Sequence, residues 1–344
     1  LEYCYSEGED SMRFGKNEEN PLRFDAVIID EASMIDIMLM KGLLDAIPAG
    51  TRLIIVGDAD QLPPVGAGNV LRDIIESEVI SSVKLTEIFR QAKESFIVVN
   101  AHKINKGEYP DINERDKDFF LLHRKSEKEM LATILDLCAR RLPSYFDDCD
   151  PLRDLQVLTP VRKGLLGCEN LNKELQKILN PPCPGVKEKR FGDRLFREGD
   201  KVMQIKNNYQ LEWKRFYDFT DGQGVFNGDC GFIHTIDNEF NEITVVYEDN
   251  KYVTYDVTNL DELELAYAVT VHKSQGSEFP VIIMPVSWFP PVLATRNLLY
   301  TAVTRAKDAV ILVGSEDKMR AMVDNNRILE RYSGLKPRLK QFLL

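Results

Sequence analysis

The sequence predicts an α/β protein built from two parallel-sheet units, the first of them incomplete, with a small all-β domain inserted into the second. Three observations carry this. Between positions 24 and 85, short unbroken apolar runs such as 26–29 and 53–56 alternate with helical segments. Strands of that kind, joined through helices, belong to parallel sheets covered on both faces. The same rhythm returns at 155–158, 281–286 and 309–313, but between 191 and 261 short strands divided by Asn, Asp and Gly follow one another without helices, the texture of a small barrel.

Taken in order, the first unit (23–92) holds a strand at 24–29, a helix at 35–46, a strand at 52–56, a helix at 69–76 and a short strand at 83–85. The second unit (93–190 and 262–344) holds the three later apolar runs as strands and helices at 170–179, 295–305 and 318–324. Its insertion (191–261) holds strands at 202–205, 230–233, 243–247 and 252–257, and Pro181-Pro182-Cys183-Pro184-Gly185 reads as the loop leading into it.

Composition narrows the function. At 344 residues, with 44% hydrophobic and 29% charged residues, the chain has the make-up of a soluble protein of two or three domains. No apolar run approaches the roughly 18 residues a membrane span needs, so no membrane partner is expected and a cytoplasmic location is. The first residue is Leu rather than Met, from which we expect an N-terminal region upstream. The six cysteines form no C-x-x-C pair and are joined by four histidines, so reduced, mostly buried thiols are expected rather than zinc or an iron–sulfur cluster. A net charge of −11 argues against a protein that coats nucleic acid. It leaves room for a local cationic groove, and 187–215 carries nine Lys/Arg against five Asp/Glu; such a patch by itself is more often a solvated surface.

Two motifs carry chemistry. Asp30-Glu31-Ala32-Ser33 follows directly on the apolar run 27–29, which puts carboxylates at the C-terminal end of a parallel strand, where such sheets bind ligands. In a nucleotide hydrolase one acid there holds Mg²⁺ and a second orients the attacking water. One strand later, Gly57-Asp58-Ala59-Asp60-Gln61-Leu62-Pro63-Pro64-Val65 sets Asp58 and Gln61 at a second strand end, with a rigid Pro-Pro step behind them.

Together these resemble motifs II and III of superfamily 1 helicases in the form used by the RecD-like, 5′→3′ branch. Further segments match that family in order. Leu85-Thr86-Glu87-Ile88-Phe89-Arg90-Gln91 resembles motif IV, 269–279 resembles motif V, and Tyr300-Thr301-Ala302-Val303-Thr304-Arg305-Ala306-Lys307 resembles motif VI. Leu158-Thr159-Pro160-Val161-Arg162-Lys163-Gly164 resembles a segment that grips single-stranded DNA, and Val225-Phe226-Asn227-Gly228-Asp229-Cys230-Gly231-Phe232-Ile233 resembles a strand and turn of the inserted SH3-like domain. Residues 1–22 match the position of the family's β-hairpin pin.

The resemblance implies two RecA-like domains holding ATP between them, the second carrying an SH3-like barrel. It implies that Asp30 (with Mg²⁺), Glu31, Gln61, Arg90 and Arg305 are catalytic, and that Asp58, Gly276 and Glu278 bind nucleotide. Pro63, Pro64, Thr159, Arg162, Asn227, Thr270, His272, Lys273 and Ser274 would contact DNA. Arg90 and Arg305 suit a γ-phosphate because a planar guanidinium binds it bidentately and Lys cannot. The implied activity is a 5′→3′ helicase of DNA repair and recombination, with single-stranded DNA, duplex junctions and other recombination subunits as partners.

No G-x-x-x-x-G-K-S/T segment occurs in the 344 residues. Phosphate binding in this class needs that glycine loop and its Lys, so this stretch alone is expected to be inactive. Two alternatives stay open: the helicase part of a conjugative relaxase, and a non-catalytic DNA-binding subunit. The aromatic segment 209–223 is longer than the resemblance leads one to expect; its aromatic side chains suit stacking on bases or packing on the barrel.

Overall fold

The computed structural model describes residues 3–5, 12–85, 95–112, 118–327 and 333–341. The chain divides into two units, one of residues 1–90 with 327–344 and the other of residues 91–326.

In the first unit β1 (Tyr3–Tyr5) and β2 (Met12–Phe14) pair antiparallel at the position expected for a hairpin. The ring of Phe14 lies so close to Gly42 that any side chain there would strike it. β3 (Ala26–Ile29) leads through a 3₁₀ turn at Ala32–Met34 into α1 (Ile37–Ala46), whose N-terminus is capped by Asp36 accepting from the amides of Met38 and Leu39. β4 (Arg52–Ile55) pairs parallel with β3, and α2 (Val70–Ser77) follows. Ile29 and Ile55 pack into a core with Ala32, Met40, Val70 and Leu71, while Ile28 and Ile54 on the opposite face stay exposed. The strand expected at 83–85 does not form; Val83 and Leu85 are almost fully exposed and without ladder partners, so nothing rewards the extended conformation.

The second unit begins with α3 (Phe96–Lys106), β5 (Phe119–His123), α4 (Glu127–Asp136) and, after one π-helical turn, α5 (Leu142–Tyr145). β6 (Leu155–Thr159) and α6 (Cys168–Leu179) follow. The insertion contributes β7 (Glu188–Phe191), β8 (Arg194–Arg197), β9 (Lys201–Gln204), β10 (Asn208–Lys214), β11 (Asp221–Val225), β12 (Cys230–Asp237), β13 (Glu242–Tyr247), β14 (Lys251–Tyr255) and β15 (Leu263–Leu265). The chain then returns through β16 (Ala268–Thr270), β17 (Phe279–Val286), α7 (Arg296–Val303), β18 (Ala306–Gly314) and α8 (Glu316–Asp324).

The central sheet, in order β16-β6-β17-β18-β5, is wholly parallel. Val157, Ile283, Ile311 and Val313 pack under α4 and α6, and Ile282, Met284, Val310 and Leu312 are fully covered on the other face, where α3, α7 and α8 lie. The final helix, α9 (Leu335–Gln341), falls in sequence within the range expected for the second unit. It packs instead on α2: Leu335 enters the first unit's core, Lys336 pairs with Glu76 at 2.8 Å and Ser333 bonds Asp73.

The insertion is a correction to the expected barrel. Seven of its strands form one open antiparallel sheet, β11-β10-β14-β13-β12-β9-β15, β7 and β8 pair as a separate antiparallel hairpin, and among the described residues the two end strands of the sheet do not pair to close it. The aromatic segment is the β10–β11 hairpin, where Trp213 packs on the insertion core and Phe216, Tyr217 and Phe219 stay exposed at the turn.

Buried polar groups fasten the insertion to the α/β layer. Asp200, fully buried, accepts from Gln176 Nε2 (2.6 Å) and Asn180 Nδ2 (2.7 Å) of and beyond α6, from Tyr267 OH (2.8 Å) and from the amide of Arg197 (2.6 Å). Burial raises its pKa, and these hydrogen bonds oppose the rise. Asn172 of α6 bonds the backbone on both sides of the β15–β16 junction. Burial also pushes the thiols of Cys138 and Cys230 up to about 12 and about 11, which leaves them protonated and unreactive. Asp200→Ala should strand several buried donors at once and cost about 3 kcal/mol or more in chemical denaturation; a loss below about 1 kcal/mol would show that the hub does not secure the junction.

Candidate nucleotide and nucleic-acid sites

In the first unit the acids stand where the parallel pair ends. Asp30 is exposed just past β3, and its Oδ1 accepts the amide of Glu31 at 2.8 Å. Glu31 has φ +49°, the left-handed region that costs a non-glycine residue energy and gathers at functional turns. The turn is held from the neighbouring strand: the Ala32 amide bonds Val56 O at 3.0 Å, and the Val56 amide bonds Ile29 O at 2.8 Å. A side chain on Gly57 would come within 2.9 Å of the Ala32 amide nitrogen. Glycine there lets the second motif lie directly on the first. Asp58 caps its own loop by accepting the amide of Asp60 at 2.9 Å, and Gln61 is buried behind it. The loop continues over Pro63 and buried Pro64, and Ala67 O accepts the amide of Ile37 at the start of α1. Asp30, Glu31, Asp58 and Gln61 are thus gathered at one sheet edge.

Arg90 lies outside the described residues.

In the second unit the register places the remaining residues at two opposite sheet edges. Thr159 pairs with Thr270 where β6 and β16 end, whereas Phe279 pairs with Ala306 where β17 and β18 begin. The segment between Thr270 and Phe279 runs from one edge to the other through a 3₁₀ turn at Val271–Ser274 and through Gly276, whose φ of +77° favours glycine. At the beginning edge Arg305, 6% exposed, donates to Ser277 O at 3.3 Å, and its carbonyl accepts the amide of Phe279. Glu278 beside it forms an exposed pair with Lys307 at 3.0 Å.

At the ending edge the candidates divide. Thr159 and Ser274 are fully buried and their hydroxyls are spent internally, Thr159 on Leu166 O (2.7 Å) and Ser274 on Val271 O (2.9 Å). They shape the two loops and offer no hydroxyl to a ligand. Arg162, exposed, and Lys273, partly buried, stand in reach of an anion, and both pair with Glu264. Thr270 and His272 are partly buried there. Asn227 is exposed in the turn after β11, its amide bonded to Asn207 Oδ1, with Gly228 at φ +104° completing the turn. Sequence reasoning missed Glu264, Arg194, Asp200 and Tyr267. None belongs to a motif, and only the fold brings them to their partners.

Three families match successive parts of the chain: an AAA domain over 12–122, the ATP-dependent RecD-like DNA helicase SH3 domain over 171–247, and the UvrD-like helicase C-terminal domain over 265–313. The ATP-dependent RecD2 DNA helicase of Deinococcus radiodurans is 36% identical over 302 residues, covering 88% of this chain and 38% of that protein. The RecBCD enzyme subunit RecD of Mycolicibacterium smegmatis is 27% identical over 345 residues, covering 96% of this chain and 57% of that one. A solved structure of two coordinating Pif1 helicases at forked duplex DNA shares the fold, with a TM-score of 0.51 and 20% identity over 97% of this chain and 76% of that one. RecA-like parallel sheets with an SH3-type insertion in the second define a superfamily 1 helicase. Within that class the chain belongs to the RecD-like helicases, and it spans between about two fifths and three fifths of the length of the two relatives.

Burial lowers the pKa of His272, which keeps the imidazole neutral at neutral pH. A histidine that resists protonation when folded takes its proton more readily when unfolded, so stability is lost as pH falls through the unfolded value of about 6.5. Denaturation midpoints measured from pH 8 to pH 5 should fall more steeply for the natural protein than for His272→Gln; parallel curves would show that this imidazole titrates freely.

Proposed function

We propose that the full-length protein is an ATP-dependent DNA helicase that moves 5′→3′ along single-stranded DNA in repair and recombination, acting in the cytoplasm at duplex junctions. The observation that carries the reading is the convergence of Asp30, Glu31, Asp58 and Gln61 at the ends of two paired parallel strands, with Gly57 permitting their close approach. That arrangement suits phosphoryl transfer, which asks for positioned charge rather than a nucleophile.

Asp30 is the proposed ligand of Mg²⁺. Among the described residues no group of three or more His, Cys, Asp or Glu side chains could cage a metal ion. Mg²⁺ needs none, because it keeps its waters and binds through one or two carboxylates together with the substrate's phosphates. An exposed Asp30 at the end of β3 offers such a carboxylate. When bound, the ion would neutralise charge on the phosphate oxygens. Glu31 orients the attacking water, Gln61 and Arg90 sense the γ-phosphate, and Arg305, held by Ser277 O, offsets the charge that develops on the transferred group. Glu278 and Gly276 contribute to the nucleotide end of the same segment. Thr270, His272, Lys273, Arg162 and Asn227, with Pro63 and Pro64, contact the DNA strand.

The chain has no glycine-rich phosphate loop, so the 344 residues alone should show no single-strand-stimulated ATP turnover, while the full-length protein should show it. In the latter, Arg305→Lys should lower kcat by about 10³-fold and Glu31→Gln by about 10²-fold. Unwinding of 5′-tailed but not 3′-tailed duplexes tests the polarity. Robust turnover by the 344-residue stretch, or an Arg305→Lys protein at full rate, would refute these assignments.

A further inference from the structure

Glu264 sits on β15, the edge strand of the insertion next to the α/β layer, and is the meeting point of three cations from three separate segments. Arg162, from the loop after β6, donates to its Oε1 at 2.7 Å. Arg194, from β8 of the insertion, reaches the same oxygen at 3.5 Å. Lys273, from the segment after β16, reaches Oε2 at 3.2 Å. Burial acts to raise the pKa of Glu264, but Lys273, Arg162 and Arg194 together outweigh it and hold the carboxyl below the ordinary range.

The charges do not balance. Glu169 adds a second carboxylate 3.8 Å from Arg162, which still leaves three cations against two anions. Each cation retains donors that one carboxylate cannot use, and Arg162 keeps more than half of its side chain exposed. Arg194 is anchored at its other end, where Nη1 donates to the carbonyls of Leu263 (2.5 Å) and Asp261 (3.3 Å). Its guanidinium is therefore fixed before any ligand arrives, and prior fixing is what makes a charged contact inexpensive to form.

We propose that Arg162, Arg194 and Lys273 form one phosphodiester-binding subsite for single-stranded DNA, that Arg194 is the member supplied by the insertion, and that Glu264 is the positioning residue that gathers them. The inference rests on the DNA-binding reading above and adds to it a residue of the β domain and an organising anion. It also gives the insertion a direct hold on the strand gripped by the α/β layer.

The test is single-stranded oligonucleotide binding by the full-length protein, followed by fluorescence anisotropy from 50 to 300 mM salt. Removing one cation that neutralises a phosphate should reduce the slope of log K against log salt by about 0.7. Arg194→Gln, which can still donate to Leu263 O, should show that reduction, whereas Arg194→Lys should keep the natural slope. Glu264→Gln should weaken binding about 3- to 10-fold at 100 mM salt, because uncharged Gln no longer holds the cations together. Natural slope in Arg194→Gln overturns the subsite. Glu264→Gln binding as tightly as the natural protein, or more tightly, overturns the positioning role and makes Glu264 only a repelling charge. A shift in the KM for ATP with no change in the DNA slope would assign the cluster to nucleotide phosphates and overturn it likewise. Failure of the natural full-length protein to bind the oligonucleotide would instead sink the helicase reading itself.

Discussion

Parallel pairing is the constraint from which the arrangement of the second unit follows. A parallel neighbour cannot be reached by a tight turn, so each strand must be re-entered from its starting edge after a crossover. Strand ends and strand beginnings are therefore collected at opposite edges of the layer. Thr159 and Thr270 stand at one edge and Phe279 and Ala306 at the other, as the register dictates. The segment from 271 to 278 is too short for a full helical crossover and traverses the sheet by a single 3₁₀ turn and a left-handed glycine. A connection this short leaves few backbone torsions between Ser277, where Arg305 is attached, and Lys273.

The insertion is fastened to this layer rather than hanging from it. A domain joined through two chain crossings would ordinarily move on them. Here Asp200 takes hydrogen bonds from both sides of the junction, and Lys201, 5% exposed, lies with its ammonium 3.5 Å from Leu155 O and 5.8 Å from the centre of the Phe279 ring. Burying such groups costs free energy that an apolar contact would not. What they contribute is a set of directional contacts that the seating seen here satisfies together. Asp200 and Lys201 precede and open β9, the strand next to β15, so a fixed junction also fixes Glu264 and Arg194 relative to Arg162.

Local pattern made the architecture legible in large part, and its failures have physical causes. The apolar runs at 155–159, 279–286 and 306–314 are strands because each is a well-covered strand of the five-stranded sheet, where hydrophobicity is continuous, whereas 26–29 buries one face only and leaves Ile28 exposed on the other. The β10–β11 hairpin carried a readable alternation, Leu211 and Trp213 inward against Glu212 and Lys214 outward, which the crowd of aromatics at its turn obscured. In 83–85 two β-formers found no neighbouring strand, and propensity alone does not make a ladder. The return of α9 to the first unit was invisible because nothing in Leu335 or Lys336 names Glu76 as a partner. Motif residues that turned out buried, Thr159 and Ser274, show the same limit from the other side. Their spacing marks the loop, but whether a hydroxyl faces ligand or closes the loop is decided by tertiary placement.

The acidic net charge of the chain bears on how a cationic cluster at Glu264 can work. Exposed charges farther apart than the Debye length, about 8 Å at physiological salt, scarcely feel one another, so acids elsewhere on the body do not cancel three cations held within hydrogen-bonding distance of one carboxylate. At short range the same acids oppose contact of DNA with the rest of the surface. In the proposed subsite, phosphate affinity resides where the cations converge, beside the short connection that carries Lys273, rather than over the whole surface.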